Sequence, residues 1–266
     1  MKEKYDKHAY YLAAVQDPIS DVERISKIYR EIFKKDALSL REDFSGTYAL
    51  SCCWVQSSKN RSALAIDLDP EAIAYGDNRY RANLSDDEQS RVESSVSNSL
   101  QTTSPKDIIA TFNFSYCLLT SRALLLEYFK HAYSSLNEEG MLILDIFGGS
   151  DSEIPEIQER EVDDHDHLES FLFEFERKDF NPISRIANYG IHFKFNNGDE
   201  YLDAFTYCFR MWSIPEIRDL LAEAGFSSSK VYWEDFDEEG LGNGEFYQTE
   251  SEENSVNWSA YIVGIK

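Results

Sequence analysis

The hydrophobic positions of this chain fall into two regimes. From residue 37 to residue 148, short apolar runs alternate with stretches whose apolar positions recur every three or four residues. The first pattern predicts buried strands and the second amphipathic helices. The predicted strands are Ala37–Asp43, Ser62–Ile66, Val92–Val96, Asp107–Asn113 and Met141–Phe147. Asp17-Pro18 opens a helix that sets Val22, Ile25, Tyr29, Ile32 and Phe33 on one face, and Asp69-Pro70 opens another through Ala82. In both pairs Asp suits the N-cap and Pro the first helical position. A third helix, Ala123 to Leu136, spaces Leu124, Tyr128, Ala132 and Leu136 by four. Strictly alternating β and α elements imply a parallel, doubly wound sheet.

The regime changes after Gly148-Gly149. Residues 151–167 are acidic, have no apolar period and read as a loop. Phe171–Lys178, Arg185–Phe195 and Glu200–Phe209 alternate apolar with polar residues, as antiparallel strands do. Asn196-Asn197-Gly198 predicts a type I′ hairpin, whose central residues both need φ > 0. A helix starts at Ile214-Pro215 and stops at Gly225, a residue type that closes helices in the left-handed conformation. Lys230–Glu234 and Ser259–Ile265 are the last two strands, joined by a long acidic loop. With no helix between them they must pair as a hairpin. The expected organisation is an N-terminal helical lid (1–36), a core (37–150 with 210–266) and a β lid insertion (151–209).

The densest chemistry lies in residues 37–67. A strand runs into the turn Phe44-Ser45-Gly46-Thr47, a short helix follows, and a second strand ends on Asp67. This is the layout of a nucleotide-binding βαβ unit. The terminal acid accepts both hydroxyl hydrogens of a ribose, and the turn brings backbone N–H groups to a helix N-terminus beside the ligand. An adenosine-containing cofactor is therefore expected. Asp67 is not needed as a helix cap, because Asp69 fills that role before Pro70.

Composition narrows the classes. The 266 residues, 42% hydrophobic and 14% aromatic, fit one large α/β domain or one domain with an insertion. A net charge of −23 repels nucleic-acid phosphates and anionic membranes, so neither is expected as a partner. Cys52, Cys53, Cys117 and Cys208 have no C-x-x-C spacing and are expected as reduced, mostly buried thiols. The N-terminus lacks an apolar leader segment, and a cytoplasmic location is expected. Asp163-Asp164-His165-Asp166-His167 has contiguous potential ligands, whereas metal sites combine separate elements; it reads as a solvated loop. His8, His131 and His192 stand alone. Gly240-Leu241-Gly242-Asn243-Gly244 has no following Lys and reads as a hairpin tip, not a phosphate loop. No metal is expected.

Two helix-free terminal strands and the residues above together resemble the class I S-adenosylmethionine-dependent methyltransferases, and within them bacterial small-molecule methyltransferases with a β lid after the fifth strand. The resemblance covers residues 37–266. It implies a Rossmann-like seven-stranded sheet with an antiparallel last strand. It aligns Glu42 with the acid of the first motif and Gly46 with its central glycine; Phe44 and Tyr48 stand where the family has further glycines. Cofactor contacts are implied for Glu42, Phe44, Ser45, Gly46, Asp67, Leu68 beside adenine, Asn98 or Ser99 at the adenine amino group, and Asn113 and Phe114 at the methyl group. Asn113 and Tyr116 are the implied catalytic residues. Tyr5 and Tyr11 belong to an N-terminal lid over the cofactor, with Tyr11 a cofactor contact. The implied activity is methyl transfer from S-adenosyl-L-methionine to a small molecule by in-line displacement, with nitrogen favoured over oxygen as acceptor. The alternatives are a non-catalytic binder of this cofactor and a nicotinamide-dependent oxidoreductase, which the missing G-x-G-x-x-G disfavours. Monomer and homodimer both remain open.

Overall fold

Charged side chains occupy the middle of the central sheet, and the fold is organised around neutralising them. The computed structural model describes residues 4–163, 168–236 and 242–266. The elements in chain order are α1 (Lys7–Val15), α2 (Pro18–Phe33), β1 (Ser39–Asp43), α3 (Ala49–Gln56), β2 (Ser62–Asp67), α4 (Pro70–Arg79), α5 (Asp86–Arg91), β3 (Val92–Val96), β4 (Lys106–Thr111), α6 (Arg122–Ser134), β5 (Leu136–Gly148), β6 (Glu156–Val162), β7 (Phe171–Arg177), β8 (Ile186–Phe195), β9 (Glu200–Arg210), α7 (Ile214–Ala224), β10 (Ser228–Phe236), β11 (Gly242–Thr249) and β12 (Trp258–Ile265). The chain forms two units: residues 18–116, 121–150 and 213–266, and residues 1–17, 117–120 and 151–212.

The larger unit holds a sheet ordered β11-β10-β12-β5-β4-β1-β2-β3. Strands β1 to β5 are mutually parallel, whereas β12 runs antiparallel to β5 and β10 antiparallel to β12. This is the expected class: a mainly parallel sheet with an antiparallel last strand. The acidic segment read as a loop between the last two strands contributes β11, which pairs antiparallel with β10 and makes an eighth, edge strand. Its sequence alternates poorly because its residues are exposed or only partly buried. Helix α2 buries Val22, Ile25, Ile28 and Tyr29 in this unit's core. In α6 the buried face is Leu125, Tyr128, Phe129 and Ala132, and Leu124 lies 42% exposed, so the predicted stripe is rotated by one residue. No helix among the described residues is long and apolar enough to cross a membrane.

The charged centre is Arg41, 0% exposed within β1. Its guanidinium donates to Asp43 Oδ1 (2.7 Å), Ser99 O (2.7 Å), Gln101 O (3.0 Å), Thr103 Oγ1 (3.2 Å) and Ser135 Oγ (3.1 Å). Asp43 Oδ2 accepts from Tyr128, whose hydroxyl also meets Thr111 Oγ1. A buried ion pair survives desolvation only with its remaining donors and acceptors satisfied, and here they are. The loop after β3 is thereby tied to the carboxyl end of β1.

The smaller unit is an antiparallel sheet ordered β6-β7-β8-β9. The acidic stretch expected as a loop includes β6, paired with β7 from Glu156 to Val162. Six of its residues are exposed on both faces, so no apolar period marks it. The turn after β8 is longer than the predicted type I′. Only Gly198 has positive φ (84°), and Gly198 N–H donates to Phe195 O, so Asn196 and Asn197 take ordinary turn angles. Helix α1 and the residues just before it lie on the sheet through aromatic rings: Tyr5 stacks on Phe195 at 3.8 Å, and in α1 Tyr10 meets Phe171 edge-on at 4.9 Å and Tyr11 meets Phe205 at 4.9 Å. On another side, His192 Nδ1 accepts Asp203 N–H and Nε2 faces Glu176, while Lys178 bonds Asp203. His192 is thus part of a hydrogen-bonded cluster in which a lysine already supplies the positive charge. None of the four cysteines forms a disulfide; Cys52 and Cys117 are buried, Cys53 is partly buried and Cys208 is exposed. His165 and most of its acidic neighbours, residues 164–167, and Gly240 and Leu241 lie outside the described residues.

Candidate functional site

The loop between β1 and α3 turns back on itself by placing three residues in the left-handed region: Phe44 (φ 53°), Gly46 (φ 53°) and Tyr48 (φ 48°). Two of these are the positions where glycine was expected. The backbone adopts the glycine conformation without the glycines, at a cost on the order of 1 kcal/mol or more each. Tertiary contacts hold it there. The Tyr48 hydroxyl donates to Asp77 Oδ1 (2.5 Å) on α4, and its ring lies against Gly76. Phe44 packs edge-on against Tyr128, and its N–H donates to Ser99 Oγ.

Asp67 ends β2 beside this loop. Its Oδ2 accepts Gly46 N–H (2.7 Å) and its Oδ1 accepts Asp69 N–H (2.8 Å). Each carboxylate oxygen carries a second lone pair, so two further donors can be accommodated. Ser45 N–H donates to Ile66 O, while its hydroxyl, on a residue 4% exposed, has no hydrogen-bond partner among the described residues. Glu42 reaches under the loop. Its Oε2 accepts both Ser51 N–H (2.9 Å) and the Ser51 hydroxyl (2.5 Å), at the N-terminus of α3 where negative charge is favoured. Burial raises its pKa to about 8, despite those bonds; nearby Asp21 and Asp67 push in the same direction.

The carboxyl ends of β4 and β5 complete this side of the sheet. Asn113 (φ 57°) and Phe114 (φ 56°) are consecutive left-handed residues. Their N–H groups donate to one carboxylate, Asn113 to Asp145 Oδ2 (2.7 Å) and Phe114 to Oδ1 (2.9 Å). Burial pushes Asp145 up to about 7, the two N–H bonds lower it, and Asp21 raises it. Tyr261 on β12 stands in register with Asp145. Arg24 of α2 bonds Asp21 and donates to the Tyr261 hydroxyl at 3.2 Å. Glu42, Asp67, Asp145 and Asp21 thus share one end of the sheet with Arg24 as a cation among them.

The other predicted residues are placed as follows. Leu68 is 63% exposed beside Asp67. Asn98 is exposed, with Oδ1 accepting Leu100 N–H through one of its two lone pairs. Ser99 is buried, its carbonyl taken by Arg41, while its hydroxyl accepts Phe44 N–H and bonds Asp43. Of the two adenine candidates, Asn98 is therefore the one with an exposed acceptor for an amino group. Tyr116 is completely buried. Tyr5 and Tyr11 are partly buried against the core of the smaller unit, where the Tyr11 hydroxyl meets Tyr207. Sequence reasoning missed Asp145 as a site residue, although an acid inside the run Leu142-Ile143-Leu144-Asp145-Ile146 was a signal. It also missed Asp21 and the Tyr48–Asp77 bond, for which the linear pattern carries no signal.

No protein-family model matches the chain, and no curated protein sequence does. Solved structures do. The chain is similar to DesVI from Streptomyces venezuelae, with 11% identity over 97% of this chain and 95% of that one and a TM-score of 0.69. It is similar to the sugar N-methyltransferase KedS8 from a Streptoalloteichus species, with 13% identity, coverage of 98% and 93%, and a TM-score of 0.66. It is also similar to CalS10 of Micromonospora echinaspora, an amino pentose methyltransferase solved with S-adenosylmethionine bound, with 13% identity, coverage of 96% and 95%, and a TM-score of 0.66. At these identities the likeness establishes a common fold over nearly the whole length of each chain.

Proposed function

We propose that this chain is an S-adenosylmethionine-dependent methyltransferase that methylates an amino nitrogen of a small molecule. The observation that carries the reading is Asp67. It ends the second parallel strand, is fixed by Gly46 N–H and Asp69 N–H, and keeps a lone pair on each oxygen for the two hydroxyls of a ribose. The residues fit the cofactor elsewhere as well. Ser45 offers a buried hydroxyl with no partner among the described residues, Leu68 an exposed apolar side chain for adenine, and Asn98 a side-chain oxygen with a second lone pair for the adenine amino group. The carboxylates of Asp67 and Asp21 on this side of the sheet suit a ligand that carries a sulfonium and an ammonium.

When bound, the cofactor supplies a methyl group already activated by sulfonium charge. The protein's own task is alignment and exclusion of water. Glu42 and the left-handed loop hold the path of the backbone beside the ligand. The Asn113 amide, at the carboxyl end of β4 and with no hydrogen bond to a described residue, orients the attacking amine. Its side-chain oxygen accepts an N–H of that amine, and water takes the departing proton. An acidic site also concentrates amines, which are cationic at neutral pH. The neighbours described as sugar N- and amino pentose methyltransferases support nitrogen over oxygen as acceptor.

Isotope-labelled methyl transfer to matched panels of small amines and alcohols, amino sugars included, tests the reading. Labelled amine is the expected product. Binding of the cofactor with no transfer to either panel overturns the assignment in favour of a binding protein.

A further inference from the structure

Two adjacent non-glycine residues in the left-handed region form a strained turn, and something must hold it. At Asn113 and Phe114 the turn closes on Phe112 O, which accepts Ser115 N–H at 3.4 Å and Ser115 Oγ at 2.8 Å. The N–H groups of the two left-handed residues themselves donate to the separate oxygens of Asp145. Successive N–H groups in such a turn make a cradle for an anion, and here the protein fills the cradle with its own carboxylate. The turn presents the Asn113 side-chain amide, which has no hydrogen bond to a described residue, and it seats the Phe114 ring against Phe147 at 4.5 Å.

We propose that Asp145 is a positioning residue for methyl transfer: its carboxylate, by gripping both N–H groups, sets the direction of the Asn113 amide, and it does so only while ionised. The inference rests on the methyltransferase reading above. Ionisation matters because the clamp needs two acceptors. A neutral carboxyl keeps one good acceptor and turns a hydroxyl or its weakly accepting oxygen toward the second N–H. The groups around Asp145 are Tyr261 from β12, and Asp21 and Arg24 from α2. Burial first, and Asp21 in the same direction, bring its titration close to neutrality, at about 7, against the lowering by the two N–H bonds.

The test compares wild type with Asp145→Asn and Asp145→Glu. Backbone amide proton shifts of Asn113 and Phe114 are followed by NMR between about pH 6 and 8, around the neutral titration expected for a buried carboxyl. S-adenosylhomocysteine affinity and steady-state methylation of an amine are measured over the same range. In the wild type both amide shifts move together with pH, and kcat falls on the acid side. In Asp145→Asn the shifts are flat and the acid limb disappears. There kcat drops by about tenfold or more, as misaimed reacting groups require, while S-adenosylhomocysteine affinity stays within about threefold. Asp145→Glu restores part of kcat. A residue that merely stabilised the fold would lower kcat and affinity together without removing the limb. Wild-type amide shifts that ignore pH, or an Asp145→Asn enzyme with normal kcat and an intact limb, overturn the proposal. Failure of the wild type to bind S-adenosylhomocysteine is a different result: it sinks the methyltransferase reading, and the amide titration still decides whether the clamp exists.

Discussion

The ring of Tyr48 occupies the space that a side chain on Gly76 would need. A Cβ added to Gly76 meets Thr47 O at 2.2 Å and Tyr48 Cε1 at 2.5 Å. One helix glycine therefore admits the loop that shapes the cofactor side of the site. Gly to Ala inside a helix normally stabilises by about 0.5–1 kcal/mol. At Gly76 the sign reverses, because Thr47 O is backbone and cannot swing aside. Gly76→Ala is expected to lower stability by about 1–3 kcal/mol, the range for overpacking, and to weaken S-adenosylhomocysteine binding. Urea denaturation and calorimetry check both, and a stabilised Gly76→Ala with full affinity contradicts the assignment.

Arg41 makes a second prediction. Arg41→Ala strands the buried carboxylate of Asp43 and leaves the carbonyl oxygens of Ser99 and Gln101 without their donor. Breaking such a pair from one side costs about 3–5 kcal/mol. Replacing Arg41 by Met together with Asp43 by Asn removes both charges and should cost less than Arg41→Ala alone. Denaturant midpoints of the three proteins decide it.

The pH dependence of stability follows from Glu42. Its carboxyl titrates at about 8 in the folded chain, against about 4.3 when unfolded. The native state then holds a proton that the unfolded state has released, so the contribution to stability is full below about pH 4.3 and is lost as pH rises through about 8. The urea midpoint should fall as pH rises from about 5 to about 8, inside that window. In Glu42→Gln, which keeps an acceptor for Ser51, the slope should be shallower. An identical slope in the two proteins would refute the assignment.

Much of this architecture was legible in the sequence for an identifiable reason. Strands β1 to β5 and helices α2, α4, α6 and α7 bury one face or both, and burial writes a period. Strand β6 buries almost nothing and β11 little, so Glu156–Val162 and Gly242–Thr249 looked like acidic or glycine-containing loop. The site divides along similar lines. Asp67 and Asn113 stand at strand ends, where position alone argues a role. The left-handed angles of Phe44 and Tyr48 have no local cause, because residues of those types avoid such angles. Tyr48 is held by Gly76 and Asp77 and Phe44 by Ser99 and Tyr128, all far along the chain, a relationship a linear pattern does not display. Ser99 looked equivalent to Asn98 until the Arg41 network claimed its carbonyl.

Calorimetric titration with S-adenosylhomocysteine, with NADH as comparison and Asp67→Ala as control, tests the central claim most directly. The account predicts dissociation constants of about micromolar for S-adenosylhomocysteine, a free energy of about −8 kcal/mol, with none for NADH. Binding should be lost in Asp67→Ala while its unfolding midpoint stays close to the wild type. No binding of S-adenosylhomocysteine by the wild type, or equal binding by Asp67→Ala, would contradict it.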